Sequence, residues 1–325
     1  MRVPDAFAQF HDKIVLGTLS EERINRAWGV LHVFLTGTFQ VPDTHVYIQG
    51  SYANDTAVKP ADEDGEYDLD IVSLHVAPGT AADRALDDLT AALEADGRFA
   101  DRVEPDETGR PCVRLRYAAD PQGFGFHIDI VPATGTAVEE PIDVPMRGRE
   151  GWRPSHPAAY TAWCQQQPEL FRRVVRFLKR WRDVHGDGSI ASIVLQVLIA
   201  THLPSATAAD DEAVWTTLTN IKGTLDLSPD APPPIANPVL PSENLADRWD
   251  EGDYREFRAE LDEAVELAGS ALFATEAAAT HRHWRTLFGD AFPATPANNA
   301  GPLAPPPPPD YPDARGSAPT DERYG

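Results

Sequence analysis

The sequence predicts an α+β protein in which a mixed β-sheet is followed by a mostly helical half. Three observations carry that prediction. Short apolar strands bearing carboxylates recur between Val46 and Val131. Amphipathic helical spacing takes over after Pro132. From Ala294 onward Pro, Ala, Gly and polar residues dominate, and such a segment buries too little apolar surface to fold.

Phe7, Phe10, Ile14, Leu16, Ile24, Ala27, Leu31 and Leu35 follow helical spacing, which predicts one long or broken helix reaching Thr36. Val46-Tyr47-Ile48 reads as a first strand and runs into Gln49-Gly50-Ser51. The glycine lets the backbone turn sharply and approach a ligand. Ser51 suits a helix N-cap, with Ala53, Thr56 and Ala57 continuing a short helix. A helix N-terminus offers free N–H groups to phosphate oxygens. Tyr67 to Val72 reads as the next strand, and alternation places Asp68 and Asp70 on one face. Leu69 and Val72 are assigned to the packed side or to the strand's continuation. A helix around Ala81–Ala95 and strands at Val113–Tyr117 and Phe126–Val131 follow, the last with Asp129 opposite Ile128 and Ile130. The sheet is expected to be antiparallel or mixed, with helices on one face.

In the second half, Pro168 and Glu169 open an amphipathic helix with Leu170, Val174, Val175, Phe177, Leu178, Trp181 and Val184 on its apolar side. Ile190 to Thr201 predicts a buried helix. Prolines keep Asp230 to Pro241 extended. A helix from Asp253 to Phe273 and a packed segment at Trp284, Leu287 and Phe288 end the folded part. The tail contains a stiff polyproline stretch, Pro305 to Pro309.

The chemistry lies in an ordered set: strand, Gly-Ser turn, strand with Asp68 and Asp70, and a distant strand with Asp129. Three converging carboxylates repel one another unless counter-charge is supplied, and hard divalent cations with oxygen ligands supply it. Mg2+ keeps several waters and combines one or two carboxylates with substrate phosphates. The set therefore predicts two magnesium ions held against a nucleoside triphosphate. A lone Gly-Ser is usually a turn and a lone Asp-x-Asp a solvated edge, so only the combination carries weight. Asp62-Glu63-Asp64-Gly65-Glu66 reads as a solvated loop. Lysine is scarce, with Lys13, Lys59, Lys179 and Lys222 the four in the chain. Lys179, in the amphipathic helix, is a compact cation suited to a triphosphate, and Ser192 could offer a hydroxyl to the same phosphates. Taken alone, Lys179 reads as a snorkelling side chain and Ser192 as a hydroxyl bonded to its own backbone. His127 is expected to pack beside Asp129, and His281-Arg282-His283 to lie on a helix surface.

The composition sets limits. Of 325 residues, 42% are hydrophobic and 9% aromatic, as in an ordinary globular chain. The net charge of -23, from 28 basic and 51 acidic residues, argues against binding long nucleic acid. It leaves small nucleotides open, because metal ions and local basic groups can meet their charge. Cys112 and Cys164, the two cysteines, suggest neither a disulfide framework nor a zinc site. Met1 to Phe10 is too polar for a secretory signal and Ile190 to Leu203 too short for a membrane span, so the cytoplasm is the expected compartment and no membrane is involved.

These pieces resemble the bacterial CD-NTases, the cGAS/DncV-like nucleotidyltransferases of CBASS antiphage systems, in the polymerase-beta-like superfamily. Gln49-Gly50-Ser51, Asp68-Leu69-Asp70 and Asp129 within His-Ile-Asp-Ile-Val-Pro carry the superfamily resemblance. Phe177-Leu178-Lys179-Arg180-Trp181, Ser192, Asn237-Pro238-Val239, Asn244 to Trp249 and Trp284 to Gly289 point to the CD-NTases within it. The resemblance spans roughly Phe7 to Pro293. It implies a two-lobed fold with the active site in the cleft: residues 1–135 as the catalytic lobe with its N-terminal helix, 136–293 as the helical lobe and 294–325 as a disordered tail. It implies that Asp68, Asp70 and Asp129 are catalytic and bind two Mg2+ ions, with Mn2+ as a substitute. Gln49, Gly50, Ser51, Lys179 and Ser192 would bind the donor nucleotide. The product would be a cyclic di- or trinucleotide made from NTPs, which signals to a separate effector. Some relatives are conjugated at a C-terminal small residue by a ubiquitin-transfer-like partner, and Gly325 would be that site here. The alternatives are a nucleotidyltransferase acting on an RNA end, a protein or a small molecule, and a catalytically silent nucleotide-binding protein of the same fold.

Overall fold

A computed structural model describes residues 1–295 apart from 63–64, 122, 149, 186–189 and 206–207. Gly325 and the polyproline stretch lie outside the described residues. The first helical stretch is broken in two: α1 (Pro4–Ile14) ends where Val15 turns extended, and α2 (Thr18–Phe39) ends at left-handed Gln40. The chain continues through β1 (Val46–Gln49), a single helical turn α3 (Gly50–Ala53), β2 (Glu66–Leu74), α4 (Ala82–Glu94), β3 (Val113–Tyr117) and β4 (Gly125–Ala133). A hairpin of β5 (Ile142–Pro145) and β6 (Trp152–Ser155) leads to α5 (Pro157–Gln166), α6 (Glu169–His185), α7 (Ser192–His202) and α8 (Asp210–Leu225). A two-stranded ribbon, β7 (Ala236–Asn237) and β8 (Leu240–Asn244), precedes α9 (Glu251–Phe273) and α10 (Ala277–Phe288).

The main sheet has the order β1-β2-β4-β3. It is mixed: β2 and β4 run parallel, while β1 and β3 are antiparallel to their neighbours. Alternation along β2 and β4 sends Leu69, Ile71, Ile128 and Ile130 to one face. There they bury against Leu31 and Leu35 of α2 and Leu86, Leu89 and Leu93 of α4. Val72 does not share the Leu69 side. It packs with Leu74, Ala133, Ile142 and Val144 in a separate small core, because period two returns it to the Asp70 face and the β5 strand covers that end.

The larger core is helical and gathers α5 to α10. It also takes in Phe7, Phe10 and Ile14 of α1. The sequence grouping of residues 1–135 placed that helix with the sheet, whereas its apolar face is buried in the helical core. The reason is aromatic packing. Phe10 stacks on Phe288 at 4.6 Å and on Phe177 at 5.3 Å, and Phe7 meets Trp284 edge-on at 5.0 Å. His281, expected on a surface, is 6% exposed, with Nδ1 2.9 Å from the Pro293 carbonyl.

Candidate active site

The sheet register aligns the site residues. Gln49, Asp70, Asp129 and Arg114 are successive partners across β1, β2, β4 and β3, forming one row. One step away, Asp68 pairs with His127, and His127 with Arg116. Parallel pairing of β2 with β4 is what brings Asp129 beside Asp70 from far along the chain.

Gly50 sits at φ +70°, and a Cβ there would lie 2.0 Å from Asp70 Oδ2. The glycine is required twice, by its left-handed backbone and by the carboxylate seated against it. Ser51 is not the cap expected from sequence. Gln49 holds the N-cap position, no side chain caps the turn, and Ser51 lies within it. The helix stops at Ala53 rather than continuing through Thr56 and Ala57, because Asp55 turns left-handed at φ +54°.

A cavity of about 500 Å³ opens on this face. Gln49, Gly50, Ser51, Asp68, Asp70, Lys179 and Ser192 all line it. The long amphipathic helix α6 thus delivers Lys179 to the strand carboxylates. Lys179 is 5% exposed, and its Nζ donates to the Thr56 carbonyl at 3.2 Å. Burial pushes its ammonium down to about 8, against the pull of Asp68 and Asp70. The Asp70 carboxyl is held well above the usual carboxylate range, first by burial and then by the charges of Asp68 and Asp129. Ser192, the first residue of α7, accepts a hydrogen bond from Arg182 at 2.9 Å.

Asp129 differs from the other two aspartates. Both its oxygens are engaged by Arg114, Nε to Oδ1 at 2.7 Å and the second guanidinium nitrogen to Oδ2 at 2.8 Å. It is not among the residues lining the cavity. Among the described residues, no three His, Cys, Asp or Glu side chains are arranged to hold a metal ion together. The donor set nevertheless fits a hard divalent cation. Asp68 and Asp70 are oxygen ligands on one strand face in a polar cavity, and the mutual repulsion at Asp70 is what a cation would relieve. His127 packs as expected beside the carboxylates, its Nδ1 3.1 Å from Glu66 Oε2.

Several lining residues escaped the sequence reading. Arg182 and Asp183 lie one helical turn beyond Lys179, so i+3 and i+4 spacing could have placed them. The alternation of Arg114 and Arg116 in β3 could likewise have placed arginines beside β4. Arg153 from β6 and Glu243 from β8 come from strands too short to show any periodicity. They meet at 3.4 Å, and Asn237 donates to the other Glu243 oxygen at 2.7 Å.

Known proteins share this architecture. A sequence profile for the Second Messenger Oligonucleotide or Dinucleotide Synthetase domain matches residues 1–167. The c-di-GMP synthase of Roseivirga ehrenbergii is 26% identical over 287 residues, spanning 76% of this chain and 73% of that protein. Among solved structures, CD-NTase CdnG of Bradyrhizobium diazoefficiens in complex with GTP matches with a TM-score of 0.71 at 19% identity, covering 88% of this chain and 95% of that one. The Vibrio cholerae DncV cyclic AMP-GMP synthase matches with a TM-score of 0.68 at 16% identity, covering 89% and 97%. The profile spans more than half of the chain and the fold agrees along most of it with the solved CD-NTases: the protein belongs to the Second Messenger Oligonucleotide or Dinucleotide Synthetase family and is a nucleotidyltransferase.

Proposed function

We propose that this protein is a Mg2+-dependent synthase that makes a cyclic di- or trinucleotide from NTPs and that the product serves antiphage defence by signalling to a separate effector. One observation carries the reading: Asp68 and Asp70 face the same cavity as the Gly50-Ser51 turn and the buried Lys179. The relatives named above are synthases of cyclic dinucleotides, which supports the same product class.

In this reading the donor triphosphate lies between the Gly50-Ser51 turn and Lys179. Backbone N–H groups of the turn and the ammonium offset phosphate charge, and Ser192 and Arg182 extend the polar wall. Asp68 and Asp70 would hold the metal ions, which supply Lewis-acid charge to phosphoryl oxygens when bound, and Asp129 would join them once its pair with Arg114 opens. The row Gln49-Asp70-Asp129-Arg114 orients the carboxylates before any substrate arrives. An acceptor hydroxyl presented beside Asp68 and Asp70 lies next to the donor, so positioning and charge stabilisation supply most of the catalysis.

The test is incubation of the purified protein with Mg2+ and labelled ATP, GTP, CTP and UTP, followed by phosphatase and mass spectrometry. A phosphatase-resistant cyclic oligonucleotide, absent from an Asp68→Asn/Asp70→Asn double variant, is the expected result. Wild-type protein indistinguishable from that variant would count against the reading.

A further inference from the structure

We propose that Asp55 is a positioning residue for nucleotide binding, clasping Arg172 and Arg176 of α6 and thereby fixing Lys179 against the Gly50-Ser51 turn. The inference rests on the reading of the cavity as an NTP site. It starts from three consecutive residues, Asn54, Asp55 and Thr56, that follow α3 directly. Each holds a different point of the helical half. Asn54 Oδ1 accepts from Thr161 Oγ1 of α5 at 2.9 Å. Asp55 pairs with Arg172 at 3.2 Å through one oxygen and with Arg176 through the other. The Thr56 carbonyl accepts from Lys179 Nζ at 3.2 Å.

The spacing on α6 fits this use. Arg172, Arg176 and Lys179 are i, i+4 and i+7, so they form one stripe along the helix. The opposing segment is tied back to the turn by its own backbone. Asn54 N–H donates to the Gly50 carbonyl at 3.0 Å and Thr56 N–H to the Ser51 carbonyl at 2.9 Å. The stripe of α6 is thereby bonded to the backbone that carries the Gly-Ser turn. Arg176 is further braced by His11 of α1 at 3.2 Å.

Asp55 occupies the left-handed region at φ +54°, which aspartate enters more readily than most residues with a Cβ. A glycine would sit there more freely still. The Asp55 carboxylate contacts the two arginines. Asp55 itself is largely exposed and does not line the cavity, so it acts through Lys179 and the turn rather than on substrate.

This gives a discriminating variant. Asp55→Gly removes the clasp while relieving the backbone, so stability and positioning separate. The probes are α,β-methylene analogues of ATP, GTP, CTP and UTP, which cannot be turned over, titrated in Mg2+ beside a thermal melt of each variant. Asp55→Gly is expected to weaken binding of the preferred analogue by about tenfold while melting near the wild type. Asp55→Asn, which keeps one acceptor, should fall between. Arg172→Gln, which leaves the Asp55 backbone alone, should weaken binding in the same direction. Wild-type affinity in both Asp55→Gly and Arg172→Gln would overturn the clasp and leave the NTP reading standing. A wild-type protein that binds none of the four would overturn the NTP reading, and the clasp with it.

Discussion

Gly50 and Asp70 constrain each other at the level of single atoms. A methyl group at position 50 would collide with Asp70 Oδ2, and the backbone there is left-handed. Gly50→Ala should therefore displace the carboxylate and lower turnover at least about 100-fold, read as initial rate of NTP consumption. Asp70 shows the opposite tension. It is buried beside Asp68 and Asp129, and its charge is unfavourable without a counter-ion. Asp70→Asn should abolish turnover yet raise the metal-free melting temperature by a few degrees, as relief of site repulsion predicts. His75 illustrates a residue whose effect reads out in pH. Burial pushes its imidazole down to about 4, and its ring stacks on Phe39 at 3.7 Å. A depressed histidine stabilises the fold above its ordinary value of 6.5, and that stability is lost as pH falls toward about 4. His75→Gln should flatten the acid limb of a pH–melting curve; an unchanged limb would remove His75 from the account. At this scale the alternation of Asp68 and Asp70 and the glycine before Ser51 were legible because they follow from strand and turn geometry. The engagement of Asp129 by Arg114 was only half legible: alternation along β3 puts its arginines on one face, but nothing local says that β3 pairs with β4.

Among the elements, α6 was the most legible: Leu170, Val174, Val175, Phe177, Leu178 and Trp181 of its expected apolar side are buried, whereas Val184, at the far end of the stripe, is exposed. α8 is harder to read: Thr216, Thr217, Thr219, Thr224 and Gly223 weaken its helical propensity, and only packing of Val214, Leu218, Ile221 and Leu225 commits it. The ribbon of β7 and β8 and the hairpin of β5 and β6 are too short for period two to register, yet they bring Asn237, Glu243 and Arg153 to the cavity. The small helix α1 carries a testable load of packing. Phe10 is fully buried among Phe177, Phe288 and Phe292. Phe10→Ala should destabilise the protein by about 3–5 kcal/mol in equilibrium denaturation, the usual range for truncating a buried aromatic.

For the whole molecule, both large cores, as far as the described residues show, are built from residues within 1–295. A chain ending at Thr295 should melt with the full-length protein and form the same product at the same rate, measured side by side. A lower melting temperature would show that residues beyond 295 contribute to the fold. No helix among the described residues is long and apolar enough to cross a membrane. The division of the chain into a sheet half and a helical half was legible from the change in periodicity after Pro132. The allegiance of α1 was not, because an apolar stripe states that a helix is buried without stating against what.

That allegiance has a consequence for synthesis on the ribosome. The sheet core draws its residues from Leu16 to Ile130 and has all of them once that stretch has emerged. α1 precedes the sheet in the chain, whereas its partners Trp284, Phe288 and Phe292 come far behind it. Phe177 of α6 can cover the phenylalanines of α1 first, but their burial is completed only when Trp284, Phe288 and Phe292 have emerged, and that long loop has then to close. The strands that carry the carboxylates, complete at Ala133, are therefore made before α6 and its Lys179 can be laid against them.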